Sequence, residues 1–521
     1  MTSTQTKTTK TNHYYFRALV ALAMLASLLA VLAVRPAHAT PTFAVNFTGD
    51  LPDRNVGDGL CDVTTSTEDT CTLRAAIQEA NATSEADTIG FNILSTASDC
   101  NATTKVCTIT PASVLPPITE RVTIDGYTQP GASPNTKAVG NDAALKIQLN
   151  GTSVGGVGLE IQDASNSVIK GLVVNHFAEG ITVGGDSVAN RIEGNFVGTD
   201  PTGTLDQGNT FDGVAIADGS SDTVVGGSAP AKRNVISGNG RLGLLVDISN
   251  GTRIEGNYVG TDKSGTKDLG NADGLLVQNT PAGATIGGTT AASRNVISGN
   301  DRTGLSIVDA QGTKALGNRI GTTVSGTGAL GNGAHGALIA VGASNNSIGD
   351  GTSGGSNTIA FNGQDGVEVD VTSTRNEISR NSVFSNAGLG IDLIGQGEAF
   401  FSNVSTPNDP GDTDSGANNL QNKPVLSSAK TASGKTTVAG KLVSTPNQAY
   451  TIEFYSNPKD TNEGKKFIGE KSITTSVDGL RSFTFTPATS VSVGQAITVT
   501  ATRDSTHDTS EFSAPRKVVA L

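Results

Sequence analysis

His335 and Asp365 each stand just before a glycine that opens a short apolar strand, as do Asp212 and Asp273. If the strands stack in register, His335 and Asp365 lie about 5 Å apart, one strand spacing. A carboxylate beside an imidazole is equipment for general acid–base catalysis, so His335, Asp365 and Asp273 are the candidate catalytic residues. Asp-Gly is also ordinary turn chemistry, and a polar turn explains the same column. A second group lies later in the chain. Asp409, Asp412 and Asp414, with Asn418 and Gly416, place oxygen donors around a glycine turn, as a hard cation such as Ca2+ requires. No Glu closes that loop and Gly416 takes a ligand position, so a solvated acidic linker is the other reading. Asp200 and Asp262, in two similar inserts, read as loop caps. The five histidines are too scattered for a metal site of their own.

What would hold these residues is a repeat. GNFVGTDPTGTLDQGN at Gly194–Asn209 returns as GNYVGTDKSGTKDLGN at Gly256–Asn271, and RNVISGN at Arg233–Asn239 returns at Arg294–Asn300. Within this echo a smaller unit recurs, a glycine followed by three residues of a strand: Gly158-LEI, Gly180-ITV, Gly213-VAI, Gly243-LLV, Gly274-LLV, Gly304-LSI, Gly336-ALI, Gly366-VEV and Gly390-IDL. The spacing is about thirty residues, shorter at both ends, which is one solenoid coil. Asn209, Asn239, Asn271, Asn300, Asn332, Asn362 and Asn386 each precede a coil glycine by three or four residues. Asparagine suits tight turns, and stacked asparagines can pass amide hydrogen bonds from coil to coil.

Composition agrees. The chain has 64 glycines, no tryptophan and 4% aromatic residues, too little bulk for an ordinary core but enough for coils of short strands. Lys7, Lys10 and Arg17 precede an apolar run ending in an A-x-A site at Ala37 and Ala39, so residues 1–39 read as a secretory signal, with no later membrane span. The formal net charge is −12, and about −16 once the four basic residues before Thr40 are removed. Such a surface argues against nucleic acid or anionic lipid as partner. The expected location is secreted or at the cell surface. Four clustered cysteines in an exported chain suggest disulfides. Cys61–Cys71 with Cys100–Cys107 is the simplest of three pairings. The spacing is not that of a zinc site.

The glycine rhythm and the asparagine column resemble the right-handed parallel β-helix of the pectate-lyase-like superfamily, over about Val122–Leu393. Cys71–Ala82, CTLRAAIQEANA, resembles the CSLREA module found ahead of exported bacterial β-helices, with Thr72 and Ala75 departing from it. Its implied role is capping. The resemblance implies an all-β chain: an N-terminal cap over 40–121, a β-helix over 122–400, and an acidic linker over 401–423. Over 424–521, strict alternation in KTTVAGKLV, AYTIEFYSN and QAITVTATRD predicts an Ig-like β-sandwich.

This superfamily hosts lyases, hydrolases, tailspikes and adhesins, so fold does not name function. The polygalacturonase set of NTD, paired Asp, GHG and RIK is absent. Its nearest trace is Ala334-His335-Gly336. Pectate lyases use calcium-binding acids with an Arg base, which no local motif marks. Missing tryptophan and negative charge speak against sugar subsites for an acidic substrate. The resulting expectation is a binding, adhesive or structural protein directed at an extracellular glycan or the cell envelope. The alternative is a polysaccharide lyase or glycoside hydrolase acting on an acidic polysaccharide.

Overall fold

The β-branched residues of each coil alternate in and out, and a triangular stack results. The computed structural model describes Thr2 and residues 42–521, except 64–69, 399–403 and 459. The expected signal segment, and residues 399–403 at the end of the expected β-helix and the start of the linker, lie outside the described residues. Three parallel sheets of 11, 10 and 9 strands run the length of the solenoid. Each coil gives one strand to each sheet in turn, for example Val224–Gly226, Val235–Ile236 and Leu242–Asp247. Like residues stack on like: in the first sheet Ile124, Ile169, Ile192, Val225, Ile254 and Ile286 sit on successive rungs, all fully buried. At about 4.8 Å per rung, eleven strands make a rod of roughly 50 Å. Among the described residues, no helix is long and apolar enough to cross a membrane.

The corners between sheets are held by asparagines. Between the second and third sheets, Asn209, Asn239, Asn271, Asn300, Asn332 and Asn362 each donate from Nδ2 to the Oδ1 of the next, a chain that ends at Asn386, at 2.8–3.0 Å. A second ladder, not anticipated from sequence, runs between the first and second sheets. There Asn195, Asn234, Asn257, Asn295, Asn318, Asn357 and Asn381 are linked in the same way at 2.9–3.3 Å. A third, short one joins Asn346 to Asn376 at 3.0 Å. All of these asparagines except Asn386 are buried, beside turn backbone that a strand ladder cannot satisfy.

Both ends of the rod are covered. The helix Leu73–Asn81 starts at Thr72, whose hydroxyl accepts from Ala75 N, and buries Leu73, Ala76, Ile77 and Ala80. The strand Thr42–Val45 pairs parallel with Asp87–Phe91, which in turn pairs parallel with Val122–Asp125, so the cap also begins the first sheet. Disulfides join Cys61 to Cys71 and Cys100 to Cys107. At the other end, two four-stranded sheets, mostly antiparallel, face each other over Val438, Leu442, Ile452, Phe454 and Val499. This domain meets the last coil directly. Glu463 accepts from the N–H groups of Ser385 and Asn386 at 2.7 and 2.9 Å, and Glu453 from Arg380 N at 3.0 Å. Thr509 Oγ1 accepts from Ile378 N at 3.0 Å. Strand edges that would template another chain are thereby closed.

Removing one rung should strand its neighbours. Asn300→Ala, and equally Asn295→Ala in the second ladder, is expected to cost about 1–3 kcal/mol, because a buried partner is left unsatisfied. Asn250, whose amide makes a solvent-exposed bond to Ala282 N, should tolerate alanine within about 0.5 kcal/mol. Denaturant melts of the three variants decide this, and equal midpoints would dismiss the ladders as stabilising elements.

Candidate functional site

The column that precedes the coil glycines has one repeated job. Its aspartates accept from the backbone of the next coil: Asp212 from Leu242 N at 3.2 Å, Asp273 from Thr303 N at 3.0 Å, Asp365 from Leu389 N at 2.6 Å. The remaining carboxylate oxygen differs in its partner. Arg241 takes that of Asp212, and Arg302 takes that of Asp273 at 2.5 Å. At the corresponding place beside Asp365 the chain has Gly388, so no guanidinium arrives. His335, one coil earlier, fills the role, with Nδ1 3.2 Å from Asp365 Oδ2.

Around His335 the third sheet gathers acids. Its Nε2 lies 3.5 Å from Glu368 Oε2, so the ring stands between two carboxylates. Glu368 is the middle residue of the strand Val367–Val369 and faces away from the core of the coil. Asp392 lies opposite it on the next rung. The His335, Asp365 and Glu368 side chains are 3%, 0% and 1% exposed. Both oxygens of Asp392 are buried, with no hydrogen-bond partner among the described residues. Burial, reinforced by the nearby carboxylates of Asp365, Glu511, Glu368 and Glu398, pushes the Asp392 carboxyl up to about 8. Burial also raises Glu368, against the opposing pull of His335. One donor atom each from His335, Asp365 and Glu368 fall within 4.8 Å of one another, a span that one cation could bridge. The ring already occupies that position between the acids. Chemically the cluster can hold and share a proton; it offers no open face to a polymer.

The expected set of sites is divided by the structure. His335 and Asp365 come together, while Asp273 is engaged by Arg302, two coils away. Asp409, Asp412 and Asp414 converge, with donor oxygens within 4.8 Å of one another. Asn418 is otherwise engaged: its Oδ1 accepts from Asn376 N at 3.0 Å, and its Nδ2 donates to Asn376 O at 2.7 Å, so it ends the third ladder. Asp412 is tied to the C-terminal domain through Ser444 Oγ at 2.6 Å and to Asn422 N at 2.7 Å. Asp409 accepts from Thr413 N and Oγ1, and Asp414 Oδ1 is buried with no partner among the described residues. Burial and the two neighbouring acids raise the Asp414 carboxyl. Asp200 and Asp262 cap their own inserts, each accepting from a hydroxyl two residues on at 2.7 Å.

Glu368 and Asp392 escaped the sequence reading. A charge at the outward centre of VEV or IDL reads as a solvent-facing position. Their signal was adjacency, two acids on consecutive rungs beside a column histidine.

No family model and no curated protein matches the chain. Among solved structures it is similar to the A-module of the mannuronan C-5 epimerase AlgE4 of Azotobacter vinelandii, with 16% identity and a TM-score of 0.40 over 64% of this chain and 88% of that one. The A-module of AlgE6 from the same organism gives 16% and 0.33, over 70% and 91%. Tailspike protein 2 of Escherichia coli O157:H7 bacteriophage CAB120 gives 12% and 0.28, over 89% and 68%. At these identities and scores the likenesses say nothing of function, and the fold rests on the three sheets themselves.

The raised Asp392 carboxyl has a sign. An unfolded aspartate releases its proton near pH 4 and the folded one near pH 8. The stability linked to that proton is therefore complete below about pH 4 and is lost as pH rises through about 8. Asp392→Asn, which keeps the shape without the charge, should melt higher than the native chain at pH 8. The gap should be on the order of a few kcal/mol and close toward pH 4. Parallel pH profiles for the two proteins would remove the proton from this site.

Proposed function

We propose that the protein is an exported β-helix that binds an extracellular glycan or the cell envelope, without chemical turnover. The observation that carries this reading is the closure of the His335 cluster: the only candidate acid–base pair from the sequence is sealed from solvent. What the rod offers instead is length and regularity. Coils at about 4.8 Å present residues in columns along rigid faces, a suitable geometry for a repeating polymer. Two disulfides fit an oxidising compartment. The test is a panel of acidic, sulfated and neutral glycans against the mature protein, reading binding together with release of reducing or unsaturated ends. Binding without release is expected. Release that disappears in His335→Ala would overturn the reading in favour of a lyase or hydrolase.

We also infer a Ca2+ site at Asp409, Asp412 and Asp414. Three converging carboxylates and the unpartnered Asp414 oxygen support it. Asp412 also docks the C-terminal domain, so its removal would unseat that domain with or without the ion. Asp414→Asn is the discriminating change. Calcium at a hundredfold excess over Kd should stabilise the native chain by about 2.7 kcal/mol and leave this variant unmoved. A native melting temperature indifferent to both calcium and chelator would make the loop a plain acidic linker.

A further inference from the structure

The two RNVISGN copies place equivalent arginines, Arg233 and Arg294, at the corner between the first and second sheets. Both make the same local bond, Nε donating to a carbonyl of the next coil, Gly256 O at 3.1 Å for Arg233 and Gly317 O at 2.7 Å for Arg294. Their surroundings then part. The loop of residues 137–140 crosses above Arg233, whose terminal nitrogens donate to the carbonyls of Lys137, Ala138 and Gly140 at 2.5–3.0 Å. Its guanidinium also lies 4.7 Å from the centre of the Tyr258 ring. Ala138 and Val139 of that loop line the same cleft as Arg294, but among the described residues none of its carbonyls bonds Arg294. The terminal nitrogens of Arg294 have no protein acceptor among the described residues. At the place equivalent to Tyr258 the second copy has Arg319, on the rung after Val296 as Tyr258 is on the rung after Val235.

A cleft of about 340 Å³ is therefore lined by three guanidiniums, Arg233, Arg294 and Arg319, of which only Arg233 is engaged by the loop, and by an apolar wall that includes Tyr258, Val296 and Val324. Neither Arg294 nor Arg319 has a carboxylate within salt-bridge distance among the described residues, whereas Arg191, Arg241, Arg253 and Arg302 elsewhere in the solenoid each have one. Burial lowers both Arg294 and Arg319 from the ordinary guanidinium range, and Arg294 adds to the effect on Arg319. Two half-buried like charges are held together in a chain whose net charge is −12. That arrangement costs stability unless an anion completes it. The occupied copy shows what completes it: oxygen acceptors above the second sheet.

We propose that the Arg294–Arg319 cleft binds an oxyanion group, a carboxylate, sulfate or phosphate, carried on an extracellular polymer, with the guanidinium forks on its oxygens and the apolar wall against the unit that bears it. The volume lies at the small end of ordinary ligand sites, room for one unit of a chain and not for a long segment. This deepens the glycan-binding reading and rests on it for the nature of the carrier.

The experiment compares the native chain with Arg294→Gln, Arg319→Gln and, as control, Arg302→Gln. Each is titrated with a polyuronate oligosaccharide, a sulfated oligosaccharide, a phosphodiester-linked glycan, a neutral oligosaccharide and inorganic sulfate. At least one charged oligosaccharide should bind the native chain, with affinity falling as salt is raised. It should bind each cleft variant at least tenfold more weakly and the control unchanged. Without ligand Arg319→Gln should melt no lower than the native chain, since it removes an unpaired charge, whereas Arg294→Gln also loses the bond to Gly317 O and is read for binding alone. That outcome separates a ligand site from a structural one, and an Arg319→Gln variant that melts lower would make the pair structural. A charged glycan that binds all four proteins equally would overturn the cleft while leaving the glycan reading in place. Inorganic sulfate that protects only native chain and control, with no glycan binding at all, would keep the cleft and overturn the glycan carrier. No effect of any probe would overturn the inference.

Discussion

A coil of a parallel β-helix cannot close its own hydrogen bonds. Each strand's N–H and C=O groups point along the rod, toward the coil before and the coil after, and only those neighbours can satisfy them. The constraint extends to the corners, where the chain turns and regular pairing lapses. There the asparagine side chain takes over, accepting and donating along the same axis. Two full ladders and a fragment of a third convert the corners from a source of unsatisfied backbone into a continuation of the sheet. The inward columns of Ile and Val follow from the same stacking, since like residues pack best on like when the register never slips.

The last coil inherits the problem without a neighbour, and this chain solves it with acids. Glu453 and Glu463 reach from the C-terminal domain to take N–H groups that a further coil would have taken, and Asn386 passes its amide to Glu463 at 3.2 Å. The same use of carboxylates as acceptors runs along the aspartate column. Where an arginine accompanies the aspartate, as at Asp212 and Asp273, the extra charge is met at the surface. Where Gly388 leaves the place empty, the charge is met by His335, and further acids collect around it under the cover of the last coils. The His335 cluster is thus an outcome of the stacking rule at its boundary, and its proton chemistry is a consequence of burial.

The alternation of inserts distributes the outer faces. One coil carries its long turn between the second and third sheets, the next between the first and second. Successive inserts therefore lean over the second sheet from opposite sides. The 137–140 loop gives its carbonyls to Arg233 and only borders the cleft that holds Arg294. A repeat of near-identical coils becomes non-identical through what lies upon it.

The sequence by itself determined the solenoid, because the repeat is one-dimensional. Glycine spacing, strand pattern and the first asparagine column all report contacts between adjacent coils, whose register is set by periodicity alone. That is why His335 and Asp365 could be placed side by side from their positions before Gly336 and Gly366. The second ladder was equally periodic but lay in the first Asn of RNVISGN, which drew no notice because only the last Asn stood near a coil glycine. Tertiary structure alone decided the rest. Whether Glu368 and Asp392 face water or each other depends on what covers the third sheet. Asn418 looked like a cation ligand until its amide was found completing a corner some forty residues from Asn376 in sequence. Arg233 and Arg294 are the same letter in the same motif. Their difference comes from a loop almost a hundred residues upstream of Arg233, closing over one and not the other. Local spacing encodes contacts along the rod. Contacts across its faces are made by segments distant in the chain, and no period carries that information.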